Sequence, residues 1–202
     1  MSLQKITSLS QLDINGVYSY KDYLSWQFDQ AVEIIKGKIF PMAAPTPWHQ
    51  IISWRIASKI DKIFEANNCL PFSAPLDVRL FDKKKSLKAN KEIYTVVQPD
   101  LCIICDKEKI DKKGCLGAPD LIIEILSPGN SSKEMKTKKN LYEENKVREY
   151  WIVDPDHETV ILYNLQKGNG YSIPKIFVSE DVVTSHIFPD LIVDLTKLFE
   201  QV

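Results

Sequence analysis

Apolar residues in this chain fall into short runs divided by polar loops, and the period of each run predicts its element. Tyr20 to Asp29 reads as a short helix with Ser19 as N-cap. Val32 to Met42 holds two β-rich runs around Lys36-Gly37, the pattern of a tight hairpin. From Thr46 or Pro47 to about Asn67, Ile51, Trp54, Ile56, Ile60 and Phe64 recur at roughly helical spacing, so one long helix is expected. Leu76 to Phe81 alternates as a strand does, and 82–91 is a lysine-rich loop. Tyr94 to Cys105 reads as one strand and Asp120 to Leu126 as a second, joined by a polar connection. Pro128-Gly129-Asn130 stops the second strand. Ser131-Ser132-Lys133-Glu134 then fits a capping box, with a helix following to about Asn145. Glu149 to Val153 is another strand. Thr159–Tyr163 and Tyr171–Ile173 form a hairpin around Gly168-Asn169-Gly170, and Leu195 to Glu200 closes with a helical turn. This mixed order predicts an α/β or α+β chain with a central mixed β-sheet flanked by helices. Residues 1–19 read as a loosely attached lead-in and 20–202 as one domain.

Two of the apolar runs carry a carboxylate where burial should forbid one. Asp100 opens the run Leu101-Cys102-Ile103-Ile104, and Glu124 sits near the end of Leu121-Ile122-Ile123-Glu124-Ile125-Leu126. An acid inside such a run is costly to desolvate unless it meets a cation or strong donors. If the two strands pair, both acids reach one face at the strand ends. With the backbone carbonyl of Ile125 they make an oxygen set suited to Mg²⁺, with Mn²⁺ as a substitute. That chemistry makes phosphodiester hydrolysis the first reaction to consider. The Pro-Asp dipeptide alone says little, because it recurs at 119–120, 155–156 and 189–190 as a turn or strand end.

Such acids usually work with a lysine two residues after the Glu, and that slot holds Leu126. The following helix offers Lys133, Lys136, Lys138 and Lys139 instead. With Met135, Leu141 and Tyr142 as the core-facing stripe, Lys138 falls in its middle. Lys139 is the nearest rival, while Lys133 and Lys136 point outward. The bland alternatives are a strand-start Asp capping a turn, a structural Glu124 bridge to Lys138 or Arg148, and a snorkelling Lys138.

On these residues the chain resembles the Uma-two family of restriction endonucleases, within the PD-(D/E)xK nuclease superfamily. The likeness rests on Glu33 with Gly37, His49, Pro99-Asp100, Pro119-Asp120 through Ser127-Pro128, Lys138 four before Tyr142, Glu149 to Pro155, and Phe188-Pro189-Asp190-Leu191. It runs from about Tyr20 to Leu198 and implies a restriction-endonuclease-like core with an N-terminal hairpin extension. It also implies DNA as the substrate, Asp100 and Glu124 as metal ligands, and Lys138 as a catalytic lysine migrated onto a helix. Glu33 is implied as a further acid near the metal, though a strand Glu is more often exposed. His49 fits a phosphate contact, a general base, or a plain helix-end residue. One departure is Glu134, where the family often has Asp, at a position the capping box would engage.

Composition trims the options. Twenty-six Lys and Arg against 27 Asp and Glu leave a formal net charge of −1, which argues against a strong non-specific DNA coater. Arg occurs only at 55, 79 and 148, so base readout by bidentate Arg is weakly supported. The lysine runs 83–85 and 112–113 fit a backbone track or simply solvated loops. Cys69, Cys102, Cys105 and Cys115 are expected as buried free thiols in a reducing cytoplasm, and the C-x-x-C at 102–105, in a strand, cannot chelate together. No signal segment or membrane span is seen. Double-strand cleavage leads one to expect a homodimer. The rival reading is a catalytically silent nuclease-fold module that binds nucleic acid or a protein partner.

Overall fold

The computed structural model describes residues 5–65, 68–81, 93–128, 132–168 and 170–201. The lysine-rich loop at 82–91, Ser131 of the expected capping box and Asn169 lie outside the described residues. In chain order the helices are α1 (Tyr20–Tyr23), α2 (Pro47–Phe64), α3 (Ser132–Glu144) and α4 (Leu195–Phe199). The strands are β1 (Val32–Ile35), β2 (Lys38–Pro41), β3 (Leu70–Ser73), β4 (Val78–Leu80), β5 (Thr95–Val97), β6 (Leu101–Ile104), β7 (Ile110–Asp111) and β8 (Gly114–Leu116). They continue as β9 (Leu121–Ile125), β10 (Glu149–Asp154), β11 (Thr159–Gln166), β12 (Gly170–Tyr171), β13 (Lys175–Phe177), β14 (Val182–Thr184) and β15 (Ile192–Asp194).

One sheet runs β2-β1-β5-β4-β8-β7 and a second runs β12-β11-β10-β9-β6-β3, with β13 also on β11. The second is mixed: β9 and β10 are parallel, while β6 lies antiparallel to β9 and β11 antiparallel to β10. The β1–β2 hairpin closes through Lys36 and Gly37, both at positive φ (51° and 84°), as a primed turn needs. It leads straight into the first sheet through β5. The described lead-in is tied to this hairpin: the Tyr18 N–H donates to the Gly37 carbonyl at 2.9 Å, and Lys38 donates to the Asn15 and Gly16 carbonyls.

Side chains alternating along β9 divide the interior in two. Leu121, Ile123 and Ile125 face α2 and α4, packing on Ile52, Ile56, Ile60, Leu195 and Phe199. Ile122 faces the other way, where α3 and the first sheet supply Leu141, Tyr142, Val78, Leu80 and Val97. Glu124, two positions on from Ile122, points to this second side.

Several expected elements differ. The helix from Tyr20 is one turn, not ten residues long. The expected strand over 94–105 is two strands in different sheets, broken at Gln98-Pro99-Asp100. Pro99 has no N–H for a ladder, and the Gln98 N–H is spent on the Glu33 carboxylate at 2.9 Å. The buried stripe of α2 is His49, Ile52, Ile56, Ile60 and Phe64, so Ile51 and Trp54 are not core positions. Trp54 is 76% exposed.

The cysteines also depart from the four free thiols expected. Cys69 and Cys105 form a disulfide, and only Cys102 and Cys115 are buried free thiols. Leu70 pairs with Ile104 across β3–β6, so the residues just outside that pair stand opposite one another. Disulfides persist in oxidising surroundings, so these cysteines lend no support to a cytoplasmic location. Burial raises the Cys102 thiol well above its usual range and pushes Cys115 up to about 11.

Candidate functional site

The break at Pro99 puts Asp100 where the two sheets part. Across β6–β9, Leu101 faces Ile123, and one further step in that register sets Asp100 opposite Glu124. Opposed residues of an antiparallel pair project to the same side. The Ile125 N–H donates to Asp100 Oδ2 at 2.7 Å, fixing the carboxylate against the end of β9. The other oxygen, Oδ1, lies 3.2 Å from His49 Nε2 at the start of α2. Thr46 caps that helix by accepting from the His49 N–H at 3.1 Å, which holds the imidazole at the strand ends. Burial opposes the charged imidazole, yet the Asp100 contact prevails and raises its pKa.

Glu124 is buried and both its carboxylate oxygens are engaged. Lys138 Nζ donates to Oε1 and Oε2 at 3.0 and 3.1 Å, and the Tyr142 hydroxyl makes a short hydrogen bond to Oε1. The same ammonium reaches Glu33 Oε1 and Oε2 at 3.1 Å. Burial drives the Glu124 carboxyl up to about 7 against the pull of Lys138, and Glu33 and Asp100 add to the rise. Burial also opposes the charge on Lys138, but Glu124 and then Glu33 hold it above the ordinary lysine range. The Tyr142 phenol is raised, by burial first and then by Glu124.

The structure therefore brings Asp100, Glu124, Lys138, Glu33 and His49 to one place. Lys139 is instead paired with Glu143 at 2.8 Å, Arg148 with Asp120 at 3.0 Å, and Lys133 and Lys136 are exposed. Glu33, expected from the family likeness as a further acid near the centre although strand glutamates are more often exposed, is 2% exposed. Leu126, in the slot two after Glu124, packs against the α3-side core. A cleft of about 1070 Å³ opens over the cluster and includes Glu134 in its wall.

A family model described as Uma2, putative restriction endonuclease, matches residues 20–196. The chain belongs to this family. A curated relative, the uncharacterized protein slr1290 of Synechocystis sp., is 23% identical over 158 residues, spanning 77% of this chain and 78% of its own. Among solved structures, a putative nuclease belonging to DUF820 from Anabaena variabilis matches with a TM-score of 0.72. It is 22% identical, with 90% of this chain and 97% of that one covered, so the likeness is one of fold. Among the described residues no helix is long and apolar enough to cross a membrane.

In this Uma2 chain the donor chemistry fits a hard divalent cation. Asp100, Glu124 and the Ile125 carbonyl offer oxygen only, and Glu124 and Glu33 share the one Lys138 ammonium. Among the described residues no three His, Cys, Asp or Glu side chains stand at metal-holding spacing. Both Glu124 oxygens are turned to Lys138, so loading the site requires Glu124 to share or exchange that partner.

Two contributors escaped the sequence reading. Tyr142 is core, as expected, but its hydroxyl also serves Glu124; its place one helical turn after Lys138 was the available signal. Gln98 escaped without a signal. Its backbone N–H holds Glu33, while its side chain donates to Asp77 at 2.9 Å and to the Tyr23 hydroxyl at 3.2 Å.

Proposed function

We propose that the chain is a Mg²⁺-dependent endonuclease of the PD-(D/E)xK type acting on DNA, with Asp100, Glu124 and Lys138 as its catalytic residues. The observation that carries this reading is the Lys138 ammonium 3.0 Å from Glu124, delivered from α3 where β9 offers only Leu126. Asp100, Glu124 and the Ile125 carbonyl would hold the metal, which supplies Lewis-acid polarisation of the phosphoryl oxygen and a more acidic bound water. Lys138 donates to the phosphoryl oxygen that gains charge as the pentavalent phosphorane forms. Glu33 and Tyr142 keep Lys138 and Glu124 in register. His49 orients Asp100 by its contact with Oδ1, the arrangement of an outer-shell partner. One such site cuts one strand, so cutting both strands of a duplex calls for two copies related by a twofold axis.

A second reading, a silent module, is favoured by the closed Lys138–Glu124–Glu33 bridge. Buried bridges of this kind contribute little stability over an apolar pair, which weighs toward function. Incubation with supercoiled and single-stranded DNA in Mg²⁺ or Mn²⁺ separates the readings. Cleavage is expected in wild type and is lost in Asp100→Ala and Glu124→Ala. Cleavage that survives both substitutions rules out this site. No cleavage together with no metal binding by calorimetry establishes the silent module.

A further inference from the structure

The cleft has a second feature besides its acids. Helix α2 lines it with Pro47, Gln50, Ile51 and Trp54, the face that runs beside the buried stripe, and the hairpin adds Phe40 and Met42. At its edge stands Trp54, 76% exposed, although it shares a cleft with Glu124 and Lys138. Trp151 by contrast is 1% exposed, and Trp26 and Trp48 are half-buried. A bare indole on a helix, beside a concave wall that is apolar and continuous with a polar centre, is the unusual observation.

Charge narrows what the indole meets. Among the described residues lining the cleft, Glu33, Asp100, Glu124 and Glu134 are acidic, against Lys138 and Arg55. Neither cation is placed to track a phosphate backbone along the cleft, Lys138 being kept at the acidic centre for the scissile phosphate alone. Lys138 bridges two carboxylates. Arg55 donates to the Leu198 and Glu200 carbonyls at 2.9 and 2.6 Å and lies over the Trp48 ring. A duplex presents a dense double row of phosphates and is bound chiefly through cations. A single strand also needs cations for its phosphates, but each unpaired nucleotide adds a π-face, which an aromatic side chain takes without regard to sequence.

We propose that Trp54 is a stacking platform for an unpaired nucleobase, so that the preferred substrate presents single-stranded DNA, or a locally unpaired segment, at the cleft. This rests on the nuclease reading for the identity of the polymer, but not on cleavage for its test. The nucleobase lies on the indole and the adjoining apolar wall, and the phosphate beside it reaches the Asp100–Glu124 centre. Sequence preference is weak, since stacking discriminates bases poorly.

The test is binding in Ca²⁺, which takes the same oxygen ligands as Mg²⁺, followed by anisotropy and tryptophan fluorescence. The probes are a single-stranded DNA oligonucleotide, its blunt duplex, and that duplex with a short unpaired bubble. Wild type is expected to bind the single strand and the bubble more tightly than the duplex, with quenching of indole emission. Trp54→Ala should weaken single-strand binding about 5- to 150-fold, the range for loss of one stacked base. It should leave duplex binding unchanged, and Trp54→Phe should retain most of the affinity. Equal single-strand affinity in Trp54→Ala, tighter binding of the duplex by wild type, or no binding of any probe overturns the proposal. The last result is the one expected if Trp54 instead meets a protein partner. Trp54-dependent binding by a wild-type protein that cleaves nothing overturns the nuclease reading and leaves this one standing.

Discussion

Glu124 is the residue on which the chemistry and the stability of the site meet. It keeps a carboxyl group inside an apolar strand because an ammonium and a phenol meet it there. Removing only the phenol hydroxyl tests that balance. Tyr142→Phe should cost about 1.5–3 kcal/mol in a denaturant melt, the worth of a hydrogen bond to a charged group. It should also move the acidic limb of the cleavage pH profile upward, because that bond lowers the Glu124 pKa. A profile that stays in place while stability falls would confine Tyr142 to packing. The residue types at this scale were readable in the sequence where burial made them anomalous. Asp100 and Glu124 interrupt Leu and Ile runs, and Lys138 sits in an apolar helical stripe. Tyr142 was readable as core, but its donor role had only one signal, its place one helical turn after Lys138. Glu33 was named only by the family likeness, because its partner lies 105 positions away.

Among the elements, α2 explains the clearest misreading. The helix has two adjacent apolar faces, one closing on β9 and the other forming the wall of the cleft. A single periodic pattern drawn through Ile51, Trp54, Ile56, Ile60 and Phe64 mixes the two. The faces should separate in stability. Ile56→Ala is expected to lose about 2–5 kcal/mol by leaving a cavity, whereas Trp54→Ala should stay within about 0.5 kcal/mol, as exposed substitutions do. Comparable losses from both would mean that Trp54 is packed after all. The break between β5 and β6 was likewise concealed. Val96, Val97, Leu101 and Cys102 are all strand formers, and Pro99 could have marked an edge rather than a change of sheet. Only the pairing of β5 with β1 and of β6 with β9 decides it, and that is long-range information.

For the whole molecule, the site is a meeting of parts that are far apart in the chain: β1 supplies Glu33, α2 His49, the β5–β6 junction Asp100, β9 Glu124 and α3 Lys138. The general architecture was legible from periodicity and from the family motifs, while β3 and its disulfide to the β6 end were not. A consequence for the folded state is its response to pH. Glu124 holds its proton to about 7 when folded but releases it near the ordinary 4.5 when unfolded. The native state therefore binds more protons across that window, and the stability of the metal-free protein should fall as pH rises through it. His49, also raised, acts in the same direction. Melts at pH 5 and pH 8 should show the decline in wild type and a shallower one in Glu124→Gln; a wild-type stability that rises would contradict the assignment. If a divalent metal takes the place of that proton, as proposed, the rise in melting temperature on adding Mn²⁺ should be larger at pH 8 than at pH 6. The most direct measurement is the single-turnover cleavage rate of DNA in Mg²⁺ by wild type and by Lys138→Ala, with Mn²⁺ binding followed by calorimetry on the same preparations. The rate in Lys138→Ala should fall about 10²- to 10³-fold, as for loss of one donor to a developing oxyanion, with metal binding retained. A Lys138→Ala protein that cleaves at the wild-type rate would contradict the catalytic role of Lys138.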